Sequence, residues 1–168
     1  MSTIADAITQ GDIKRCYEVM SQLRSSASPD AFYTQVERQQ ASGYVLSYLE
    51  DGGAVVGVAG WRMRENLALG KHLYVEDLVV DETLRSKGYG TVLVDYLVQR
   101  GTDLGCAILM LDSGVQRYSA HRFYLRERFD IRAYLCSSAP LLRARSVGPA
   151  VDDRSYHMLG LRRTWRLT

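Results

Sequence analysis

The sequence predicts an α/β fold built on a mixed sheet, and three observations carry that prediction. Two strand-like runs, Tyr44 to Leu49 and Ala54 to Met63, flank Asp51-Gly52-Gly53, a hairpin turn. A third run, Leu73 to Val80, is rich in apolar and β-branched residues. A helical stripe at Val92, Leu93, Tyr96 and Leu97 then separates that strand from the apolar run Cys106 to Leu111, so a helical crossover joins two strands.

The first helical pattern follows Gly11-Asp12 and places Ile13, Cys16, Tyr17, Met20 and Leu23 on one face. Ser25 to Ser28 interrupts it, and Pro29 suits the first turn of a second helix reaching about Gln40. In the second strand Gly57 and Gly60 mark a bulge or a close approach. Gly101 and Gly105 are candidate stops for the crossover helix. Cys106 to Leu111 is continuously apolar, as in a strand covered on both faces. A helix from about Tyr118 to Glu127 and a strand from Ile131 to Cys136 complete the order α-α-β-β-β-α-β-α-β.

The chain has 168 residues, enough for one domain with a real core. Its net charge of +2 is too small to imply a nucleic-acid partner. Residues 137–168 carry six Arg against Asp152 and Asp153, while residues 1–136 are slightly acidic. Three cysteines without a C-x-x-C pair suggest reduced thiols, with no disulfide framework and no metal site expected. The first residues have neither a basic start nor an apolar run, and no apolar stretch approaches the ~18 residues of a membrane span. The expectation is a cytoplasmic protein without membrane attachment.

Arg85-Ser86-Lys87-Gly88-Tyr89-Gly90 lies between a strand and a helix. A helix start offers unpaired N–H groups and the positive end of a dipole, so it attracts anions. Gly88 and Gly90 permit close approach or φ > 0, and Arg85 and Lys87 add positive charge. Neither a Walker loop nor a dinucleotide fingerprint is present. On its letters alone the segment is an anion site or merely a basic helix start.

The run from Val75 to Gly90 resembles the core motif of the GNAT N-acetyltransferase superfamily: a strand, a short acidic turn, then Gln/Arg-x-x-Gly-x-Gly/Ala opening a helix. A second block, Asp112 to Glu127 with Ala120, Phe123 and Tyr124, resembles the family's later motif, and is especially similar to the aminoalkylphosphonate N-acetyltransferase branch. The resemblance covers about residues 10–136. It implies a GNAT-type mixed, splayed central sheet of about six to seven strands flanked by about four helices. Residues 1–136 are then the acetyltransferase domain, and 137–168 an atypical Arg-rich tail in which Tyr156 to Leu161 is a candidate last strand.

The resemblance further implies acetyl-CoA as donor. Its pyrophosphate is expected at the backbone N–H groups of Ser86, Lys87, Gly88, Tyr89, Gly90 and Thr91, with the Arg85 charge beside it. Its pantetheine arm is expected along the strand edge at Leu78 and Val80, with an oxyanion donor near the Val79 N–H. Transfer to an amine requires loss of the amine proton, stabilisation of the oxyanion and protonation of the departing thiolate. Tyr124 is the implied general acid; without the resemblance, Phe123-Tyr124 reads equally as core. Glu76 is the candidate base through water, with Asp77 on the opposite strand face unless a bulge intervenes. Arg117 stands where relatives often have Asn, and either reaches a phosphate, belongs to the acceptor site or lies on the surface. Arg128 replaces the usual Gly before an aromatic. His121 reads as a helix-surface residue and His72 as a strand-end residue.

The expected function is transfer of an acetyl group to a primary amine by direct attack in a ternary complex. A small-molecule acceptor is favoured over a protein, with a homodimer possible. Glu50, Asp51, Glu76 and Asp77 favour a cationic acceptor, whereas an anionic phosphonate needs Arg117 or His121 in the pocket. The competing readings are a non-catalytic acyl-CoA sensor and a structural subunit of a larger complex.

Overall fold

The computed structural model describes residues 2–133. Their elements run β1 (Thr3–Asp6), α1 (Gln10–Ser21), α2 (Pro29–Gln40), β2 (Val45–Asp51), β3 (Ala54–Asn66), β4 (Gly70–Val80), a 3-10 turn (Glu82–Leu84), α3 (Tyr89–Asp103), β5 (Ile108–Leu111) and α4 (Tyr118–Arg126). Among the described residues the sheet has five strands in the order β1-β2-β3-β4-β5. Every neighbouring pair is antiparallel except β4–β5, which is parallel and joined by α3. The α/β mixed sheet with its antiparallel first half and helical crossover is therefore present, with four α-helices among the described residues. Strand β1 was not expected. Of the strand expected at 131–136, Ile131 to Ala133 are not extended in a sheet, and the rest lies outside the described residues. So do Tyr156 to Leu161 and the whole Arg-rich tail.

Local chemistry sets the helix ends. Helix α1 starts two residues before Asp12, because Thr9 caps it and Asp12 answers from the third helical position, closing a capping box. Ser28 caps α2, where Pro29 occupies the first turn. Helix α3 runs through Gly101, and the stop is Gly105, whose φ of 69° few other residues accept. Gly52 and Gly53 have φ of 59° and 83°, the signs a tight I′ hairpin turn requires.

Apolar residues on the two sheet faces form two cores. One gathers Ile13, Cys16, Val19 and Met20 of α1 with Phe32 and Val36 of α2 over Leu46, Val58 and Val79. The other sets Leu93 and Leu97 of α3 over Leu49, Val56, Ala59, Trp61, Leu73 and Val75. Burying each large aliphatic side chain contributes roughly 1.5–3 kcal/mol, so both helix layers are tied firmly to the sheet. Gly57 is a close approach: a Cβ there would meet Leu93 Cδ1 at 2.9 Å. Gly60 is a close approach that lies opposite a bulge in the partner strand. A Cβ there would lie 1.8 Å from the Tyr44 hydroxyl, and the β3–β4 register shifts immediately after it.

Candidate active site

Two irregularities in β4 create the site. The first is the bulge. Gly60 pairs with Asp77 and Trp61 with Val75, so Glu76 has no partner of its own on β3. Alternation breaks there, and Glu76 and Asp77 turn to the same face. Glu76 is bonded by Arg62 and by Gln39 of α2, while Asp77 is bonded by Tyr44 and by Arg24 just beyond α1. The expectation of opposite faces is thereby corrected, through the bulge that was its stated exception.

The second irregularity is a splay. Strands β4 and β5 pair only from His72↔Ile108 to Val75↔Leu111, yet β4 continues to Val80. Glu76 to Val80 thus have no β5 neighbour, and among the described residues that edge of β4 is open. A cavity of ≈ 410 Å³ lies at the opening, lined by Glu76 and Leu78 of β4, Asp112 just past β5, Arg24, Arg117 just before α4 and Tyr124 of α4.

The loop beyond β4 holds its backbone as an anion site would. Ser86 and Gly88 take φ of 64° and 88°. Gly88 is the N-cap of α3 and no side chain caps that helix; its first turn closes by Val92 N–H donating to the Gly88 carbonyl. The N–H groups of Tyr89, Gly90 and Thr91 precede that bond and have no helical acceptor. Arg85 and Lys87 are exposed, with no salt bridge among the described residues. Gly90 needs correcting: it lacks positive φ, and its want of a side chain serves packing, since a Cβ there would meet the Phe123 ring at 3.0 Å. Thr91 donates to Glu127 at 3.0 Å, a second tie between the start of α3 and the end of α4. Tyr89 donates to Asp51 at 2.7 Å, fastening the loop to the β2–β3 hairpin. That bond holds the Asp51 carboxyl below, and the Tyr89 phenol above, its usual range.

Tyr124 sits one residue from the Phe123 that covers Gly90, with its ring 5.4 Å from Phe123 and 5.6 Å from Phe129. Burial pushes its phenol above the usual value, opposed by the Arg117 charge, so the hydroxyl stays protonated at neutral pH. Arg128 takes φ of 66°, which explains why glycine commonly stands at that point of the motif.

Charges around the cavity are mostly committed. Glu76 is held by Arg62 Nε and, at 3.3 Å, by Arg64. Arg24 Nε donates to Asp77 at 2.7 Å and its Nη2 to the Glu76 carbonyl at 3.0 Å. Tyr44 donates to Asp77 at 2.9 Å, and burial with that carboxylate drives its phenol strongly upward. Asp112 accepts from the Tyr74 hydroxyl. Glu50 is paired with Arg15, outside the cavity. His72 is buried, with Nδ1 2.9 Å from the Gly70 carbonyl, and His121 does not line the cavity. Of the residues named from the sequence, Glu76, Leu78 and Tyr124 line the cavity, as does Arg117, which the sequence left open between phosphate, acceptor and surface; Arg24, Arg62, Arg64, Tyr74 and Asp112 were missed. Arg62 and Arg64 alternate along β3 and Asp112 ends an apolar strand, but only the bulge and the splay bring them together.

Comparison with known proteins agrees with this architecture. The model of the acetyltransferase (GNAT) family matches residues 12–129. The uncharacterized N-acetyltransferase YhdJ of Bacillus subtilis (strain 168) is 36% identical over 121 residues, spanning 71% of this chain and 85% of that protein. Among solved structures, the aminoglycoside N-acetyltransferase AAC(6')-Iy in complex with CoA superposes with a TM-score of 0.75 at 16% identity, covering 84% of this chain and 96% of that one. The glucosamine-6-phosphate N-acetyltransferase of Arabidopsis thaliana gives a TM-score of 0.66 at 22% identity, covering 83% and 98%. The two structural likenesses speak for the fold; the matched sequence contains both the loop before α3 and the aromatic pair on α4, and by that match the chain belongs to the acetyltransferase (GNAT) family.

Proposed function

We propose that this chain is an N-acetyltransferase that moves an acetyl group from acetyl-CoA to the primary amine of a small molecule, by direct attack in a ternary complex. The observation that carries the reading is the meeting of three features: an uncapped helix start behind Gly88, an open strand edge from Glu76 to Val80, and the Tyr124 phenol in the cavity beside that edge. Acetyl-CoA supplies the activated acetyl group. The residues present fit it. The loop from Arg85 to Thr91 has unpaired N–H groups and exposed cations for a pyrophosphate, and Leu78 and Val80 offer strand edge to an amide-bearing arm. The proposed oxyanion donor is a backbone N–H of that edge near Val79.

Tyr124 is the proposed general acid toward the leaving thiolate. Its neutral form donates, and its raised pKa moves loss of that form to higher pH, so kcat should hold from neutral pH to beyond the ordinary phenol value of about 10. Two carboxylates flank the opening, Glu76 and Asp112, and a base acting through water is drawn from them. The cavity volume of ≈ 410 Å³ suits a small acceptor. Arg117 lines it, which keeps aminoalkylphosphonates in the panel beside polyamines and simple alkylamines.

The test is an amine panel with acetyl-CoA, run on the wild type and on Tyr124→Phe. The expected result is turnover on at least one amine and a fall in kcat of about 10²-fold or more in the variant, with coenzyme A binding retained. Coenzyme A binding without turnover on any amine would instead establish a sensor.

A further inference from the structure

Of the two carboxylates at the splay, one is already spent. Glu76 is held by the guanidinium groups of Arg62 and Arg64, with Gln39 Nε2 at 3.4 Å from its second oxygen. Those donors occupy the lone pairs that a base would use. Asp112 stands directly across the opening, because Val75↔Leu111 is the last β4–β5 pair and the next residues are Glu76 and Asp112. It lines the same cavity as Tyr124. Among the described residues it has no salt bridge, and its bonded partner is a neutral one, the Tyr74 hydroxyl on Oδ2. Arg64 does not compensate it directly: that guanidinium lies over the Tyr74 ring at 4.0 Å and reaches toward Glu76.

We infer that Asp112 is the carboxylate that binds the acceptor's ammonium group and takes its proton, with Tyr74 as its positioning residue and Glu76 as the anchor of the neighbouring arginines. The inference rests on the acetyl-transfer reading. Asp112 accepts one proton from the ammonium, directly or through water, and returns it to solvent. The freed nitrogen lone pair forms the N–C bond to the acetyl carbon while the C–S bond breaks. Tyr124 gives its proton to the leaving sulfur, and the nitrogen's surplus proton restores the phenol. The products are an acetamide, a thiol and one released proton, so both side chains end as they began.

Among the described residues, the charged and titratable groups around Asp112 are Tyr74 and Glu76 of β4, Arg64 of β3 behind the Tyr74 ring, Arg24 beyond α1, Arg117 just before α4 and Tyr124 of α4. Tyr74 is suited to its part, since burial and then the Asp112 carboxylate push its phenol up to about 12, and it remains a donor across the working range. Tyr74 therefore holds one oxygen of Asp112, and among the described residues no hydrogen bond is made to the other.

The experiment compares Asp112→Asn, Glu76→Gln and Tyr74→Phe with the wild type on whichever amine the panel identifies, across pH. Asp112→Asn should lower kcat at neutral pH by roughly 10²- to 10⁴-fold. Its residual rate should climb about tenfold per pH unit below the amine's own pKa, where the wild-type kcat is flat, because only free amine then reacts. Tyr74→Phe should shift the pH profile with a smaller loss. An Asp112→Asn enzyme with wild-type kcat and profile, alongside an inactive Glu76→Gln, would overturn the assignment. Propylamine titrated into the coenzyme A complex supplies a readout without turnover. Weaker binding in Asp112→Asn supports the ammonium site, and equal binding, or none to the wild type, overturns it. Should no amine be acetylated at all, the transfer reading falls while this titration still decides the part of Asp112.

Discussion

Gly60 shows how one missing side chain serves chemistry at a distance. The space its Cβ would fill holds the Tyr44 hydroxyl and an Asp77 oxygen, which lie 1.8 and 2.8 Å from that point. Gly60→Ala must displace a buried aromatic and break its bond to a carboxylate. The expected loss is about 2–3 kcal/mol of stability, measured by urea unfolding. A variant as stable as the wild type would mean that Tyr44 has another place to go. This requirement was only half legible. A glycine inside a strand announced a close approach, but not which side chain approaches, since Tyr44 lies just before the preceding strand. The same holds for Glu76 and Asp77. Their proximity to the site followed from the motif, whereas their common face depends on a bulge set by the partner strand. The place of Tyr124 at the cavity was legible because it belongs to a short local pattern, and that of Asp112 was not, because an acid after an apolar run has many ordinary explanations.

At the scale of elements, the loop and its helix behave as one unit with α4. Phe123 rests on Gly90, and Thr91 is bonded to Glu127. Gly88 makes no such contact: a Cβ there would meet nothing within 4 Å, but its φ of 88° excludes a branched residue. Gly88→Val should therefore destabilise the fold by only about 1–2 kcal/mol while abolishing coenzyme A binding. Thermal melting with and without the ligand checks both halves. The wild type should gain about 2.7 kcal/mol at a ligand concentration one hundred times Kd, and the variant nothing. Retained ligand stabilisation in the variant would remove the loop from the site. Helix types and order were readable from periodicity and caps. Strand lengths were not. Residues 64–66 and 70–72 extend the β3–β4 hairpin, but the outer part of that extension is exposed and carries no apolar alternation to read. Strand β1, four residues long, is defined by pairing with β2 rather than by its own composition.

For the whole molecule, the crossover was visible in the sequence because an apolar strand, a helical stripe and a second apolar run specify it, whereas the division of the core between the two sheet faces was not. The width of the opening between β4 and β5 was not, since continuous apolar character says where a strand runs and nothing about where two strands part. The bulge in β4 has a further consequence for how the chain tolerates change in length. Val75, Leu78 and Val80 belong to the α3 core, while Asp77 and Val79 face α1 and α2. With Glu76 left out, these five residues alternate without a break. Removing that single residue should leave every other β4 side chain on its own face and give a chain that still unfolds cooperatively, as read by far-UV circular dichroism. Removing Leu46 from the regular stretch of β2 should instead turn its neighbours to the wrong faces and prevent folding. A collapsed Glu76 deletion would show that the ladder itself needs the bulge. A folded one would mark Glu76 as an insertion in an otherwise complete strand, kept for what its carboxylate does at the cavity and not for the architecture around it.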